Sequence, residues 1–138
     1  MKNRLCIMLL FSILMGGCES ANNQKPSTKY EEKKASLADT EREGPLKFLK
    51  ISGSHRGNLI NQTIVEGEIL NKATLTTYKN ITVQITFIDK EGSTIEKQKH
   101  VLDDEIEPGG TLDFKIKTGH VKETKSVSID ITDALADK

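Results

Sequence analysis

The sequence contains no tryptophan, and aromatic residues make up only 4% of its 138 residues. A surface that stacks nucleic-acid bases or sugar rings needs exposed aromatic side chains, so the composition speaks against such a surface. Lysine plus arginine and aspartate plus glutamate both number 20, which leaves no net charge. A neutral chain lacks the positive footprint of a nucleic-acid-binding protein. We therefore expect no nucleic acid among its partners.

Cysteine is equally scarce, and both copies lie close to the N-terminus. Cys6 falls inside an apolar stretch and Cys18 comes shortly after that stretch ends. A chain processed at Cys18 keeps no second thiol for a disulfide bond, a thiolate metal site or a cysteine nucleophile. We therefore expect the exported part to be stabilised by core packing alone.

The start of the chain has the pattern of an export signal. A short basic region, Met1–Arg4, precedes a predominantly apolar run of eleven residues, Leu5–Met15. That length fits the core of a signal peptide and is too short to span a bilayer as a helix. Gly16 and Gly17 follow, and small residues suit the cleft of a signal peptidase. The pattern predicts a signal peptide over residues 1–17.

The residues around Cys18 resemble the bacterial lipobox, in which small residues precede a cysteine that is lipidated and becomes the new N-terminus. One position departs from that pattern, since the lipobox prefers leucine where this sequence has Met15. The resemblance implies acyl chains such as palmitate on Cys18, and stable anchoring needs more than one chain. We expect an extracytoplasmic protein held on the bacterial cell membrane or outer membrane. Cleavage nearby by an ordinary signal peptidase is the alternative.

Residues 18–44 are polar and of mixed charge, with few apolar side chains. Such a segment buries too little apolar surface to offset the entropy of ordering, so we expect a flexible tether. A short helix over Lys29–Arg42 is an alternative, because helix-forming residues dominate there. No sustained apolar stripe would hold that helix against a core. Gly44–Pro45 marks the start of the folded domain, predicted over residues 45–138.

From Pro45 onward, apolar and polar residues alternate with the period of a half-buried strand. The clearest strand is Asn80–Asp89, in which four apolar side chains point one way: Ile81, Val83, Ile85 and Phe87. One further alternating run begins at Leu46, and four others cover Thr63–Asn71, Thr94–Leu102, Leu112–Ile116 and Val127–Ile131. Six or seven short strands of this kind predict an all-β, antiparallel β-sandwich or a small barrel.

Turn residues separate these runs. Asp89–Gly92 has the composition of a hairpin turn, with Gly92 suited to a positive φ. Pro108–Gly109 fits the central positions of a type II turn. Thr94–Leu102 carries charged residues in its middle, which is typical of an exposed edge strand.

The domain resembles the FxLYD family, a bacterial extracytoplasmic module with an immunoglobulin-like β-sandwich fold that is often found in lipoproteins. The likeness covers residues 46–131 and rests on these positions: Val65, Gly67, Ile69, Asn71, Tyr78, Lys79, Asn80, Ile81, Val83, Ile85, Phe87, Ile88, Asp89, Gly92, Pro108, Gly109, Leu112 and Phe114. The signature Phe-x-Leu-Tyr-Asp falls on residues 85–89. There Asp89 is identical, Phe87 is a conservative replacement, and Ile85 and Ile88 depart. The resemblance implies a fold and an exported location, and no catalytic activity.

Candidates for catalytic chemistry are few. His55, His100 and His120 are isolated, and none belongs to a His-Glu-x-x-His pair. Ser52 and Ser54 stand near His55, but no Gly-x-Ser-x-Gly elbow is present. We interpret the three histidines as surface residues and assign no catalytic residue, no cofactor and no metal ligand.

The acidic run Asp103, Asp104, Glu105 and Glu107 is the best candidate for a cation site, because Ca²⁺ takes several carboxylate and carbonyl oxygens. Its spacing does not match an EF-hand loop. A solvated turn is the simpler interpretation.

Three hypotheses remain for function. The first is a non-catalytic interaction or scaffold module of the cell envelope, anchored through Cys18 and binding another envelope protein. The second is a β-sandwich that binds a small ligand or Ca²⁺. The third, the weakest, is an enzyme that would need a histidine beside a carboxylate in a pocket.

Overall fold

The computed structural model describes residues 28–137, so the predicted signal peptide and Cys18 lie outside the described residues. Two helices come first and six strands follow: α1 (Lys29–Glu43), α2 (Pro45–Phe48), β1 (Leu49–Gly57), β2 (Gln62–Asn71), β3 (Tyr78–Ile88), β4 (Thr94–Leu102), β5 (Thr111–Gly119) and β6 (Ser126–Ala136). Neither helix in this part of the chain has the length and apolar character needed to cross a membrane.

The strands form two antiparallel sheets of three strands each. The first sheet has the order β1-β2-β5 and the second has the order β4-β3-β6. β2 pairs with β5 and β3 pairs with β6, as strand B pairs with E and C with F in an immunoglobulin-like sandwich. The predicted all-β sandwich is confirmed, with six strands in the described part of the chain.

β3 is the middle strand of the second sheet and supplies the centre of the core. Ile81, Val83, Ile85 and Phe87 are all fully buried, so the predicted register of this strand is confirmed. The first sheet faces them with apolar side chains from β2 and β5, namely Val65, Ile69, Phe114 and Ile116. Since these residues come from both sheets, the core holds the two layers together.

The edges of the sandwich differ in part from expectation. β4 spans the predicted Thr94–Leu102 and is an edge strand, as its charges indicated. β1 begins at Leu49 rather than at Leu46, because Pro45–Phe48 form one helical turn. Proline at the first helical position favours such a turn, and period-two alternation is uninformative over so few residues.

Both predicted turns are present. Gly92 has a φ of 86°, and the Asp89 carboxylate accepts hydrogen bonds from the N–H groups of Glu91 and Ser93. Gly109 has a φ of 73°, and the Gly110 N–H donates to the Glu107 carbonyl, as a type II turn requires.

Two glycines allow β1 to pack closely on its neighbours. Gly53 lies opposite Gly67 of β2. A Cβ atom at Gly67 would lie 2.1 Å from the Ser52 carbonyl oxygen, and one at Gly53 would lie 3.1 Å from Cδ1 of Ile129 on β6. The missing side chains thus let the edge of the first sheet approach the second sheet.

The segment expected to be a flexible tether differs from that expectation over its described residues. Residues 29–43 form α1, which begins with a capping box between Thr28 and Glu31. This agrees with the helical alternative for Lys29–Arg42. The predicted domain boundary at Pro45 stays a prediction, but ordered structure extends ahead of it. The helix is held to the sandwich by polar contacts. A search of the sequence for an apolar stripe along the helix does not detect contacts of this kind.

Candidate functional site

The sandwich has two ends that carry different kinds of surface. Leu49, at the start of β1, pairs with Asn71, whereas Gly57, at its end, pairs with Thr63. The end next to α1 is called the anchor end below, because the predicted lipidation site precedes α1 in the sequence. The opposite end, with the β1–β2 turn, is called the tip end. The nine residues of β1 separate the two ends by about 30 Å at the usual strand rise.

A buried carboxylate fixes α1 to the anchor end. Glu41 is 1% exposed, although it belongs to a polar helix. One of its carboxylate oxygens accepts hydrogen bonds from the N–H and the hydroxyl of Thr74, at 2.8 and 2.9 Å. The other accepts from the Leu75 N–H at 3.0 Å. A buried carboxylate is tolerated only with such donors, so Glu41 specifies how the helix docks.

The same contacts set the ionisation state of Glu41. Burial alone would raise the pKa of Glu41, but hydrogen bonds from Thr74, Leu75 and Thr76 outweigh it and hold that pKa below its usual value. The Tyr78 hydroxyl donates to the Glu41 backbone carbonyl at 2.7 Å. Burial, with the negative charge of Glu41 beside it, raises the pKa of Tyr78 to about 12. Tyr78 therefore stays protonated and remains a donor at neutral pH.

Asn71 joins two loops beneath the helix. Its buried side-chain amide donates to the carbonyls of Thr76, Ile106 and Glu107 at 2.9–3.1 Å, and its oxygen accepts from the Ala73 N–H. The contacts with Ile106 and Glu107 join residues that are 35 and 36 positions apart in the sequence. The anchor end is therefore held by buried polar groups that have partners far away along the chain.

A groove runs between α1 and the loop after β2. It encloses about 400 Å³ and is lined by Tyr30, Lys33, Lys34 and Leu37 of the helix together with Thr74 and Leu75. The four helical residues follow the i, i+3, i+4, i+7 spacing of one helix face. Tyr30 is 74% exposed, and Leu37 and Leu75 are also exposed. This surface, the α1 groove, presents apolar side chains beside two positive charges.

The tip end presents two large aliphatic side chains at the β1–β2 turn. Leu59 is 105% exposed and Ile60 is 72% exposed. The Asn58 side-chain oxygen accepts from the N–H groups of Ile60 and Gln62, and its amide donates to the Gln62 side chain. Asn61 adopts a φ of 61°, in the left-handed region that asparagine tolerates. The turn is thus held in one shape by local hydrogen bonds while its apolar residues face outward.

A partial signal for the tip is present in the sequence, whereas no signal marks the docking role of Glu41. Two large apolar residues between asparagines interrupt the pattern of a polar turn, and that interruption was the available sign. Nothing in the polar sequence of α1 distinguishes Glu41 from the other glutamates of the helix. Its role depends on the loop at 74–76, which is brought to it only by folding.

The three histidines lie on different elements. His55 on β1 and His120 after β5 are exposed, as expected. His100 is partly buried instead, because it lies opposite the buried Val83 and therefore faces the other sheet. Its Nε2 is buried without a hydrogen-bond partner among the described residues.

The acidic run does not gather into a ligand set. Asp103, Asp104, Glu105 and Glu107 are exposed, whereas Ile106 between them is buried. No group of three or more histidine, cysteine or acidic side chains within residues 28–137 is placed to hold a metal ion. The Ca²⁺ hypothesis receives no support from this loop.

A polar cleft lies at the tip end between the β3–β4 turn and the β5–β6 loop. It encloses about 540 Å³ and is lined by Asp89, Lys90, Glu91, Glu123, Thr124 and Lys125. Charges of both signs line this cleft, which has the polar character that a small polar ligand would need.

Two solved structures are similar to the chain. One is a DUF1425 family member from Shewanella sp. pv-4, with a TM-score of 0.47 and 12% identity over 64% of this chain and 81% of that one. The other is the trimeric lipoprotein SadB from Salmonella enterica, with a TM-score of 0.48 and 14% identity over 78% of this chain and 74% of that one. No protein-family model and no curated protein sequence matches the chain. The FxLYD resemblance therefore stays a prediction, and likeness at this level does not extend to function.

Proposed function

We propose that the protein is a non-catalytic interaction module of the bacterial cell envelope, exported and held at the membrane by lipid on Cys18. The observation that carries this proposal is the α1 groove. It is an exposed apolar surface on a helix that is docked to the sandwich through Glu41. A helix fixed in this way offers a preformed surface, and a preformed surface loses less entropy on binding.

The partner we expect at the α1 groove is another envelope protein with an acidic, apolar segment. Tyr30, Leu37 and Leu75 supply apolar contact area, and tyrosine is enriched at the centres of protein interfaces. Lys33 and Lys34 favour negative charge in the partner. The groove is on the first described helix after Cys18 in the sequence, so we expect the partner to be bound close to the membrane.

Lipidation is tested first, because the location depends on it. Mass spectrometry of the protein from the membrane fraction should show diacylglycerol on Cys18. A Cys18→Ser variant should carry no lipid and should no longer fractionate with membranes. Recovery of the native chain without lipid would refute the anchor.

Binding at the groove is tested with a photo-crosslinking amino acid at Tyr30 in growing cells. A matched control carries the same amino acid at Glu32, which is exposed, lies about 200° around α1 from Tyr30 and does not line the groove. One discrete adduct from position 30, and none from position 32, supports the proposal. Equal labelling from both positions argues against a specific partner.

The polar cleft at the tip end favours a second candidate, a module that binds a small ligand. Its volume of about 540 Å³ is in the range of ligand pockets, although its lining is more polar than is usual for them. Thermal melting with added nucleotides, sugars and Ca²⁺ is the appropriate screen. A shift that disappears in a Glu123→Gln variant would favour this candidate.

A further inference from the structure

We infer that the β1–β2 tip enters the lipid bilayer and forms a second contact between this protein and its own membrane. The inference rests on the proposed lipid anchor at Cys18, but it concerns a different site at the opposite end of the domain. The tip is residues 57–62, and Leu59 and Ile60 are its apolar side chains. These two side chains are 105% and 72% exposed, so neither contributes to the core.

Four of the five backbone N–H groups at positions 58–62 are hydrogen-bonded within the turn, that of Leu59 being the exception, which lowers the cost of entry into lipid. A bilayer offers no water to backbone groups, so their hydrogen bonds must be made internally. The N–H groups of Asn58, Ile60, Asn61 and Gln62 all donate within the turn, to the Asn58 side chain, the Asn58 carbonyl or the Gln62 carbonyl. Residues 57–62 also contain no charged side chain, in a chain that is 29% charged. Desolvation of this turn is therefore inexpensive compared with that of an ordinary polar turn.

Positive charge lies directly behind the apolar tip. Arg56, Ile64 and Lys117 lie opposite one another across β1, β2 and β5. The next row on the same face holds Glu66, which pairs with Arg56 at 3.3 Å and with Lys115 at 3.4 Å. These two rows thus hold three cations, Arg56, Lys115 and Lys117, and one anion, Glu66. At the usual rise of a strand, the charges lie about 10 Å behind the tip. Proteins that bind at a membrane interface place apolar side chains at the boundary of the acyl chains and cations at the level of the lipid headgroups. The tip has this arrangement.

The chain outside the described residues is long enough to permit this contact. Nine residues lie between Cys18 and Thr28, and the ten steps from one Cα atom to the other span at most about 35 Å. The sandwich is about 30 Å long, so the domain can lie along the membrane with its tip inserted. Two aliphatic side chains alone would bind a bilayer weakly. The Cys18 anchor supplies an effective concentration in the millimolar range, which makes such a weak second contact sufficient.

The absence of tryptophan makes a single-reporter experiment possible. The full-length lipoprotein with Leu59→Trp is purified from membranes and reconstituted into phosphatidylglycerol-containing vesicles. Val101→Trp is the matched control. Val101 is an exposed aliphatic residue near the end of β4, at the anchor end of the sandwich and away from the tip. We expect blue-shifted emission and strong quenching by brominated acyl chains at position 59, and solvent-like emission without quenching at position 101.

Two further variants test the parts of the tip. A Lys117→Gln change in the Leu59→Trp protein should reduce quenching in anionic vesicles and leave it unchanged in pure phosphatidylcholine, because only headgroup charge is affected. An Ile60→Ser change in the same protein should weaken insertion about tenfold, since one buried aliphatic side chain is removed from the contact. Both positions lie outside the buried core, so melting temperatures should stay the same.

Each contrary outcome has a distinct meaning. Solvent-like emission at position 59 in vesicle-bound protein overturns the tip contact and leaves the anchor intact. A blue shift without lipid quenching, growing with protein density, shows that the tip packs on a second copy and also overturns the inference. Protein that lacks lipid by mass and fails to float with vesicles refutes the anchor, and the tip inference falls with it.

Discussion

The two ends of this sandwich are stabilised in different ways. At the anchor end, Glu41 and Asn71 are buried polar side chains. Most of their hydrogen-bond partners lie 33–36 residues away along the chain. At the tip end, the side chain of Asn58 bonds only to residues two and four positions away, and the apolar side chains beside it face outward. The anchor end is therefore specified by tertiary contacts and the tip by a local motif. An end whose shape is locally determined can present exposed apolar residues without risk to the fold.

The largest expected effect concerns the apolar core shared by both ends. Phe87→Ala should destabilise the domain by about 3–5 kcal/mol, because Phe87 is fully buried and truncation leaves a cavity. Urea unfolding measures this change in the free energy of unfolding. A loss below about 1 kcal/mol would mean that the register of β3 is wrong.

The second effect compares two asparagines, one at each end. Asn71→Ala should cost about 2–4 kcal/mol, because it leaves the Ala73 N–H and the Thr76 carbonyl without a partner and removes one of two donors to the Ile106 and Glu107 carbonyls. Asn58→Ala should cost about 1 kcal/mol, since its contacts are local and partly solvated. Equal losses of unfolding free energy in the two variants would contradict the contrast between tertiary and local stabilisation.

The third effect is the pH dependence of α1 docking. The pKa of Glu41 is lower in the folded protein than in an unfolded chain, so its stabilising contribution is complete above the unfolded pKa, about 4.3. The contribution is lost as pH falls through the lowered folded pKa. The protection factors of the α1 amides, which compare measured with intrinsic exchange at the same pH, should therefore fall at acid pH before those of β3 do. In a Glu41→Gln variant, α1 should already exchange quickly at neutral pH; unchanged protection there would show that the carboxylate does not hold the helix.

The smallest effect concerns the tip. Leu59→Ser with Ile60→Ser should change the free energy of unfolding by less than about 0.5 kcal/mol, because neither side chain is buried. Urea unfolding of the detergent-solubilised protein, which is free of the bilayer contact, provides the measurement. A large loss there would show that the tip packs against the domain.

The strand pattern was predictable because its cause is local. Alternation of apolar and polar residues in β3 fixes which face is buried, since successive side chains of a strand point to opposite sides. β4 is polar enough to be recognised as an edge strand, and glycines 92 and 109 mark turns that need a positive φ. The error at β1 has a local cause too, since Pro45–Phe48 form a helical turn too short for any periodicity to show.

The sequence by itself determined the class of fold, the middle strand of its core and the positions of its tight turns, because each depends on neighbouring residues. Only the tertiary structure decided that α1 docks to the sandwich, since Glu41 finds its donors 33 and 34 residues away. It also decided the close approach of β1 to β6, where a Cβ atom at Gly53 would meet Ile129 of the opposite sheet. Whether Leu59 and Ile60 are covered depends likewise on what other elements reach them. Within the described residues no element covers Leu59 and Ile60. The reason is that the β1–β2 turn lies at the end of the sandwich, beyond the last paired residues of the two strands.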